Sequence, residues 1–168
     1  KNILDIGTGS GCIIISIIKE RENCKATAID KSLKALKVAK LNAEMHHVQK
    51  KIKFLNIDVD KYLANKYDLI VSNPPYIKDI DILSLDKDVK LNEPKLALSG
   101  GISGLNKVFK VIKKSQKLLK TKGKLILEIG FKQSKEVKKY LIKNNFNQIH
   151  VFKDLSRKDR CIVSTKAN

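Results

Sequence analysis

Asn73-Pro74-Pro75-Tyr76 joins an amide, two rigid rings and a phenol directly behind the apolar run Asp68-Leu69-Ile70-Val71-Ser72. These residue types suit transfer of a group to a planar amino or amide nitrogen. Such a nitrogen has a delocalised lone pair, is a weak nucleophile, and gains positive charge as it attacks. A site that accepts hydrogen bonds from its two N–H groups stabilises that charge where it develops. The Asn73 side-chain oxygen is one such acceptor. The Pro74 carbonyl is a second, held in place because proline fixes φ. Tyr76 offers a flat ring to a planar group. Alignment of the reacting atoms would supply most of the acceleration, and the product cation sheds its proton readily, so no general base is needed in the slow step. The plainer reading is a turn that ends a strand, for which Asn-Pro is a common opener. Asn73, Pro74, Pro75 and Tyr76 are the candidate catalytic residues.

A second cluster, Asp5-Ile6-Gly7-Thr8-Gly9-Ser10-Gly11, lies between a strand-like run and an apolar helical one. Glycines let a backbone turn tightly and approach a ligand without side-chain obstruction. The spacing is G-x-G-x-G rather than the dinucleotide pattern, and no Walker lysine follows, so phosphate is the weaker reading. Asp30 ends the next strand-like run, where an acid accepts from both ribose hydroxyls. Alone, it would simply cap a helix starting near Ser32. Asp58 follows the third run, placed to accept from an adenine amino group; alone, it is a turn aspartate. The order glycine loop, ribose acid, adenine acid resembles the S-adenosylmethionine site of Rossmann-like methyltransferases. That resemblance implies cofactor contacts at Asp5, Gly7, Thr8, Gly9, Ser10, Gly11, Asp30, Asp58 and Val59, with Asn73 touching the cofactor as well.

The elements that must position these residues alternate strand and helix, which argues for a parallel α/β sheet. Strand-like runs fall at Asn2–Ile6, Lys25–Asp30, Ile52–Asn56, Asp68–Ser72, Leu125–Ile129, Ile149–Lys153 and Cys161–Thr165. Helical patterns fall at Gly11–Lys19, Leu33–Met45, Leu105–Leu119 and Ser134–Lys143. In the third of these, Leu105, Val108, Phe109, Ile112 and Leu119 share one face and lysines occupy the rest, which is amphipathic spacing. Only Asp154–Arg160 joins the last two strands, too short for a helical crossover, so they should pair antiparallel. The expected fold is a Rossmann-like α/β domain: a seven-stranded, mostly parallel sheet with a C-terminal antiparallel hairpin. The glycines concentrate in Gly7–Gly11 and Gly100–Gly104, and all three prolines lie between the fourth strand and the long helix. Both loops follow strands, where ligands bind in open α/β sheets.

At 168 residues the chain fits one domain, 1–168, with a core that needs no disulfide. It opens inside a strand without an initiator methionine, so a longer parent chain is expected. No apolar run approaches the ~20 residues that span a bilayer, so no membrane partner is expected. Cys12, Cys24 and Cys161 are odd in number with no CxxC pair, which suits a reducing cytoplasm. They share no ligand spacing with His46, His47 and His150, so no metal is expected. The net charge of +18 would favour nucleic acid, but only Arg21, Arg157 and Arg160 are arginine, the residue that reads bases and phosphates best. Lysine, isoleucine and asparagine are enriched together, as in an AT-rich coding sequence. Nucleic acid is therefore the less favoured partner.

One family accounts for the remaining motifs. Leu4-Asp5-Ile6-Gly7-Thr8-Gly9-Ser10-Gly11-Cys12-Ile13, Asn92-Glu93-Pro94-Lys95-Leu96-Ala97-Leu98-Ser99-Gly100-Gly101, Leu127-Glu128-Ile129-Gly130 and Asp154–Arg160 together resemble the HemK/PrmC family. The resemblance covers essentially the whole chain. It implies methylation of the N5 amide of glutamine in the Gly-Gly-Gln tripeptide of peptide chain release factors, with Asn73 to Tyr76 holding the amide. Glu93-Pro94 reads either as a loop kink with an exposed acid or as a loop shaping the substrate pocket beside that tetrapeptide. Ser103 departs from the acid many members carry, and the helical domain that family members place ahead of this one is absent from the sequence. Two other readings compete. Adenine-N6 methylation of RNA or DNA shares the same tetrapeptide, but a duplex target would need a base-flipping insertion the chain lacks. A non-catalytic scaffold has no chemical reason to keep Asn73.

Overall fold

The computed structural model describes residues 1–63, 66–84 and 98–168. In chain order these form β1 (Asn2–Ile6), α1 (Cys12–Glu20), β2 (Lys25–Asp30), α2 (Leu33–Met45), a 3-10 turn at Gln49–Lys51, β3 (Ile52–Asn56), β4 (Tyr67–Ser72), a short α3 (Asp79–Ile82), α4 (Asn106–Leu118), β5 (Leu119–Glu128), α5 (Ser134–Lys143), β6 (Phe146–Lys153) and β7 (Asp159–Lys166). The strands make one seven-stranded sheet in the order β3-β2-β1-β4-β5-β7-β6. The first five pair in parallel, and β7 runs antiparallel to both β5 and β6. This is the Rossmann-like arrangement expected from the sequence. No helix among the described residues is long and apolar enough to cross a membrane.

Side-chain alternation along the strands divides the core in two. Leu4 and Ile6 of β1 and Ile70 of β4 join the larger cluster, capped by Val108, Val111, Ile112 and Leu118 of α4 and by Val137 and Leu141 of α5. Ile3 of β1 and Ala26 and Ala28 of β2 face the other way, under Ile14, Ile15 and Ile18 of α1 and Ala43 of α2. The sequence of α1, Cys-Ile-Ile-Ile-Ser-Ile-Ile-Lys-Glu, is rich in β-branched residues that favour strands. Its three buried isoleucines decide the matter, because packing of about 1.5–3 kcal/mol per side chain outweighs a propensity of a few tenths. The smaller cluster works with small residues: Ala26 and Ala28 of β2 and Ala43 of α2 let the helix approach the sheet closely.

Two strand starts depart most from the sequence reading, and two short elements were not read. β5 begins at Leu119 rather than Leu125, because it pairs first with Tyr67 and then shifts register so that Leu69 faces Lys124. The excess chain is absorbed where Lys122 takes φ 61°, next to Gly123. β6 begins at Phe146 rather than Ile149, past an irregularity at Gln148, which takes φ 46°. A polar stretch broken by positive-φ residues hides a strand from any period-two pattern. The short helix Asp79–Ile82 and the 3-10 turn had no signal long enough to read.

Candidate active site

Strand register brings the motif residues to one edge of the sheet. Ile6 pairs with Ile29 on one side and Ser72 on the other, Asp30 pairs with Asn56, and Ser72 pairs with Leu127. Gly7, Asp30, Ile57-Asp58, Asn73 and Glu128 therefore emerge together at the carboxyl ends of five neighbouring strands. The chain runs outward from β1 to β3 and then returns to β4 on the other side of β1. The crevice between β1 and β4 is thus the topological switch point, where open α/β sheets bind ligands. The Ser72 hydroxyl donates to the Ile6 carbonyl (2.7 Å) and ties the two loop bases together.

The glycine loop is held by its own backbone and by Asp30. Gly7 N–H and Thr8 N–H both donate to the Ile29 carbonyl, Gly11 N–H donates to the Thr8 carbonyl, and Gly9 N–H donates to Asp30 Oδ2 at 2.9 Å. Asp30 Oδ1 accepts from Ser32 N–H, while Ser32 itself caps α2 by accepting from Ala35 N–H. Asp30 therefore braces the loop and does not cap the helix. Gly7 and Gly9 have φ of +71° and +57°, and a Cβ on either would meet no heavy atom within 4 Å. Open space therefore lies over them. Gly11 serves packing instead: its Cβ would stand 2.9 Å from Ile15 Cδ1 and 3.2 Å from Ala39 Cβ. The exposed Ser10 lends its carbonyl to the Asn42 amide (2.9 Å).

Beneath the loop, Asp5 is fully buried and accepts from the Thr8 hydroxyl at 2.6 Å through Oδ2, while Oδ1 has no partner. Burial, ahead of the neighbouring Asp30 charge, pushes its carboxyl up to about 7. Asp58 lies at the next strand end and accepts from Asp60 N–H (2.9 Å). That bond, ahead of nearby Lys110, holds its carboxyl below the usual range. Val59 is half-buried against the larger core.

These features say what the crevice accepts. A phosphate site needs a row of free N–H groups and no facing anion. Here the N–H groups of Gly7, Thr8, Gly9 and Gly11 are already spent within the protein, and Asp5, Asp30 and Asp58 supply acid. Hydroxyls, an amino group and a positive centre fit that environment; a phosphate does not. S-adenosylmethionine carries all three, so the residues present fit it.

The second loop is built differently. Asn73 is exposed, and its amide has no hydrogen-bond partner among the described residues; Pro74 is buried and Pro75 half-buried. Tyr76 is fixed from behind. Its hydroxyl donates to Glu128 Oε1 (2.9 Å) and accepts from Arg160 Nη1 (3.2 Å), with the Arg160 guanidinium 5.9 Å from the ring centre. Burial, then Glu128, raises the Tyr76 hydroxyl above its ordinary range, so it stays a neutral donor. Asp154 Oδ2 accepts from Arg160 Nε (3.2 Å) and holds the guanidinium in place. Gln133 Nε2 donates to the Tyr76 carbonyl (3.0 Å) and the Gly104 carbonyl (3.2 Å), while its oxygen accepts from Gly130 N–H.

The loop before α4 packs against the same segment. Ile77 N–H donates to the Leu98 carbonyl and Gly100 N–H to the Ile77 carbonyl. A Cβ on Gly104 would stand 2.5 Å from the Tyr76 carbonyl, so only glycine allows this approach. Asn92–Ala97, with Glu93 and Pro94, lie outside the described residues. Ser103 Oγ accepts from Leu105 N–H and donates to Asn106 Oδ1. Glu128, Gln133 and Arg160 are the residues that sequence reasoning left without a role. Glu128 sat in a recognised strand motif, and Arg160 was one of three arginines; Gln133 carried no signal.

Residues 1–88 match the family model described as "Methyltransferase small domain". The chain is 39% identical over 168 residues to a "Bifunctional methyltransferase" of Rickettsia typhi, covering 99% of this chain and 32% of that protein. It is 39% identical over 168 residues to a "Release factor glutamine methyltransferase" of Fusobacterium nucleatum, covering 99% of this chain and 47% of that protein. It thus spans a third to a half of the length of these two relatives. Among solved structures, a ribosomal protein L11 methylase from Lactobacillus delbrueckii subsp. bulgaricus superposes with a TM-score of 0.73 at 20% identity, over 99% of this chain and 70% of that one, a likeness of fold. Family model, relatives and crevice agree on the cofactor class, and the chain belongs to the methyltransferase small domain family, in its HemK/PrmC line, with S-adenosylmethionine as cofactor.

Proposed function

We propose that this domain transfers a methyl group to the side-chain amide N5 of the glutamine in the Gly-Gly-Gln motif of peptide chain release factors. The observation that carries the reading is the state of Asn73: exposed, unpartnered among the described residues, and placed one residue beyond the strand that faces the glycine loop. The name of the Fusobacterium nucleatum relative supports the substrate class.

In this reading Asp5, Gly7, Thr8, Gly9, Ser10, Gly11, Asp30, Asp58 and Val59 form the cofactor side, and Asn73 borders both ligands. S-adenosylmethionine, when bound, supplies an electrophilic methyl on a positively charged sulfur. Asn73 accepts one amide N–H of the substrate and the Pro74 carbonyl accepts the other. These acceptors strengthen as the nitrogen becomes positive, which is stabilisation specific to the transition state. Pro75 stiffens the turn. The Tyr76 ring, tethered to Glu128 and Arg160, bounds the flat amide, and Gln133 fixes the backbone that carries it. The partner is a release factor, and the compartment is the cytoplasm, where the three free cysteines stay reduced.

The test is to incubate the intact protein with methyl-labelled S-adenosylmethionine and, in separate tubes, a release factor, the same factor with the tripeptide glutamine replaced, and total RNA. Label on the unaltered factor alone is expected. Label in RNA instead would replace this reading with adenine-N6 methylation. Silence in every tube, with cofactor binding demonstrated, would leave a scaffold.

A further inference from the structure

Composition alone leaves the lysine excess as a property of the coding sequence. The fold sorts one subset out of it. α4, Asn-Lys-Val-Phe-Lys-Val-Ile-Lys-Lys-Ser-Gln-Lys-Leu, carries five lysines and no acid. Its buried stripe of Val108, Val111, Ile112, Ser115 and Leu118 turns the lysines outward. Four of them, Lys110, Lys113, Lys114 and Lys117, line a shallow, open hollow of about 510 Å³ together with Asp60, Asn106, Phe109 and Tyr140. Among the lining residues the cations outnumber the single carboxylate, Asp60. That carboxylate is already taken by Lys110, while Lys114 Nζ donates to the Asp60 carbonyl (3.0 Å). The ammonium groups of Lys113 and Lys117 have no partner among the described residues. Two unpaired cations thus stand over a concave surface. The wall of that surface is a stacked aromatic pair, Phe109 and Tyr140, with centroids 3.9 Å apart and planes 13° apart.

We propose that this hollow binds a single strand of RNA, with backbone phosphates on Lys113 and Lys117 and a base against the Phe109–Tyr140 pair. Lysine row plus aromatic platform is the combination that single-strand grooves use. The cations track the backbone, and stacking is indifferent to base identity because every base presents a π-face. An acidic polypeptide would use the lysines but not the aromatic wall, so the aromatic pair favours nucleic acid. The hollow contains no arginine, and the forked, two-bond recognition of guanine that arginine provides is missing, so binding should be tolerant of sequence. The choice of RNA over DNA rests on the release-factor reading, which places the protein in translation; the binding itself does not. The lysines lie on the face of the sheet opposite α1 and α2; Lys110 reaches Asp58 Oδ1 (3.8 Å), so the strand would run beside the cofactor side of the crevice, with Lys113 and Lys117 further along α4.

The experiment is fluorescence anisotropy of labelled oligouridylate with the intact protein over a range of salt. It compares three proteins: wild type, Lys113→Gln/Lys117→Gln, and a control of equal charge change on the opposite helix, Lys34→Gln/Lys37→Gln. Both control lysines are exposed and outside the site. The groove variant should bind at least tenfold more weakly than wild type at physiological salt. Its log–log salt slope should fall by about 1.4, because each phosphate contact on a single strand contributes about 0.7. The control should bind within twofold of wild type. Equal weakening in both variants would assign binding to diffuse net charge and overturn the proposal, as would no binding by wild type. A tighter hold on oligothymidylate would overturn the assignment to RNA. Polyglutamate displacing the strand at matched charge, with Tyr140→Leu binding as well as wild type, would make the surface a dock for acidic protein instead. Cofactor binding, measured on the same three proteins, should be unchanged, which separates this outcome from failure of the methyl-transfer reading.

Discussion

The loop after β1 and the loop after β4 meet over one crevice but are held in opposite ways. Gly7–Gly11 is held from nearby: its N–H groups bond to Ile29, Thr8 and Asp30, and its farthest partner, Asn42, lies 32 residues from Ser10. Asn73–Tyr76 takes no such local support. It is fastened by Glu128, Gln133 and Arg160, which lie 52, 57 and 84 residues from Tyr76. Under the proposed function, the loop assigned to the constant cofactor is the rigid local motif. The loop assigned to the variable partner is positioned from a distance, and its exposed residue, Asn73, has no hydrogen-bond partner among the described residues.

The comparison is tested most strongly at Asn73. Asn73→Ala should lower kcat by about 10²–10³-fold while leaving cofactor affinity nearly unchanged; isothermal titration beside steady-state kinetics reads both. Loss of the two in parallel would mean that the loops are not separate in function. Next comes the contrast between two glycines of one loop. Gly11→Ala adds a left-handed penalty to a clash with Ile15 and Ala39, and should cost about 2–4 kcal/mol in denaturant unfolding of the ligand-free protein. Gly9→Ala, with open space around its Cβ, should cost only about 1–2 kcal/mol of stability and lose cofactor affinity out of proportion to that. Unchanged cofactor affinity in Gly9→Ala would show that the space over Gly9 is not ligand space.

The support behind the second loop predicts a smaller effect. Gln133→Leu removes two bonds that hold the Tyr76 and Gly104 carbonyls and should lower kcat/KM by about tenfold, with cofactor affinity kept. Rescue by Gln133→Glu is not expected, since a carboxylate cannot donate to those carbonyls. A drop in cofactor affinity instead would break the division between the loops.

The last test concerns Asp5, beneath the first loop. Its folded value of about 7 lies above the ordinary 3.8, so the folded protein keeps a proton that the unfolded chain releases. That contribution is complete below about pH 4 and is lost as pH rises toward 7, at no more than about 1.4 kcal/mol per unit. Thermal unfolding of ligand-free Asp5→Asn between those values should be flatter with pH than wild type. Identical slopes would place the proton elsewhere.

What was legible in the sequence follows the same division. Asn2–Ile6, Lys25–Asp30 and Ile52–Asn56 read correctly as strands because each is a short apolar run bounded by turn residues. The glycine loop was legible because every residue that shapes it is nearby. Asn73–Tyr76 was legible as a motif but not as a geometry, since no local pattern says that Gln133 fastens Tyr76 or that Arg160 meets its hydroxyl. The start of β5 was hidden for a related reason: pairing with Tyr67 sustains Leu119, and Lys122 and Gly123 interrupt the alternation that would have shown it.

The strand order has one more consequence, for the route to this structure. β1 lies at the centre of the five parallel strands yet is the first strand of the chain, and its two neighbours arrive at different times. Ile3 meets Ala26 of β2 after 23 residues but waits 66 residues for Leu69 of β4. Until then the central strand keeps one edge unpaired, and a chain caught at that stage offers it to other chains. Loop closure favours the nearer partner, so a refolding chain should protect the Gly7 and Thr8 amides, bonded to Ile29, before those that join β4 to β1. Pulsed hydrogen exchange would show that order, and simultaneous protection would mean the sheet closes in one step.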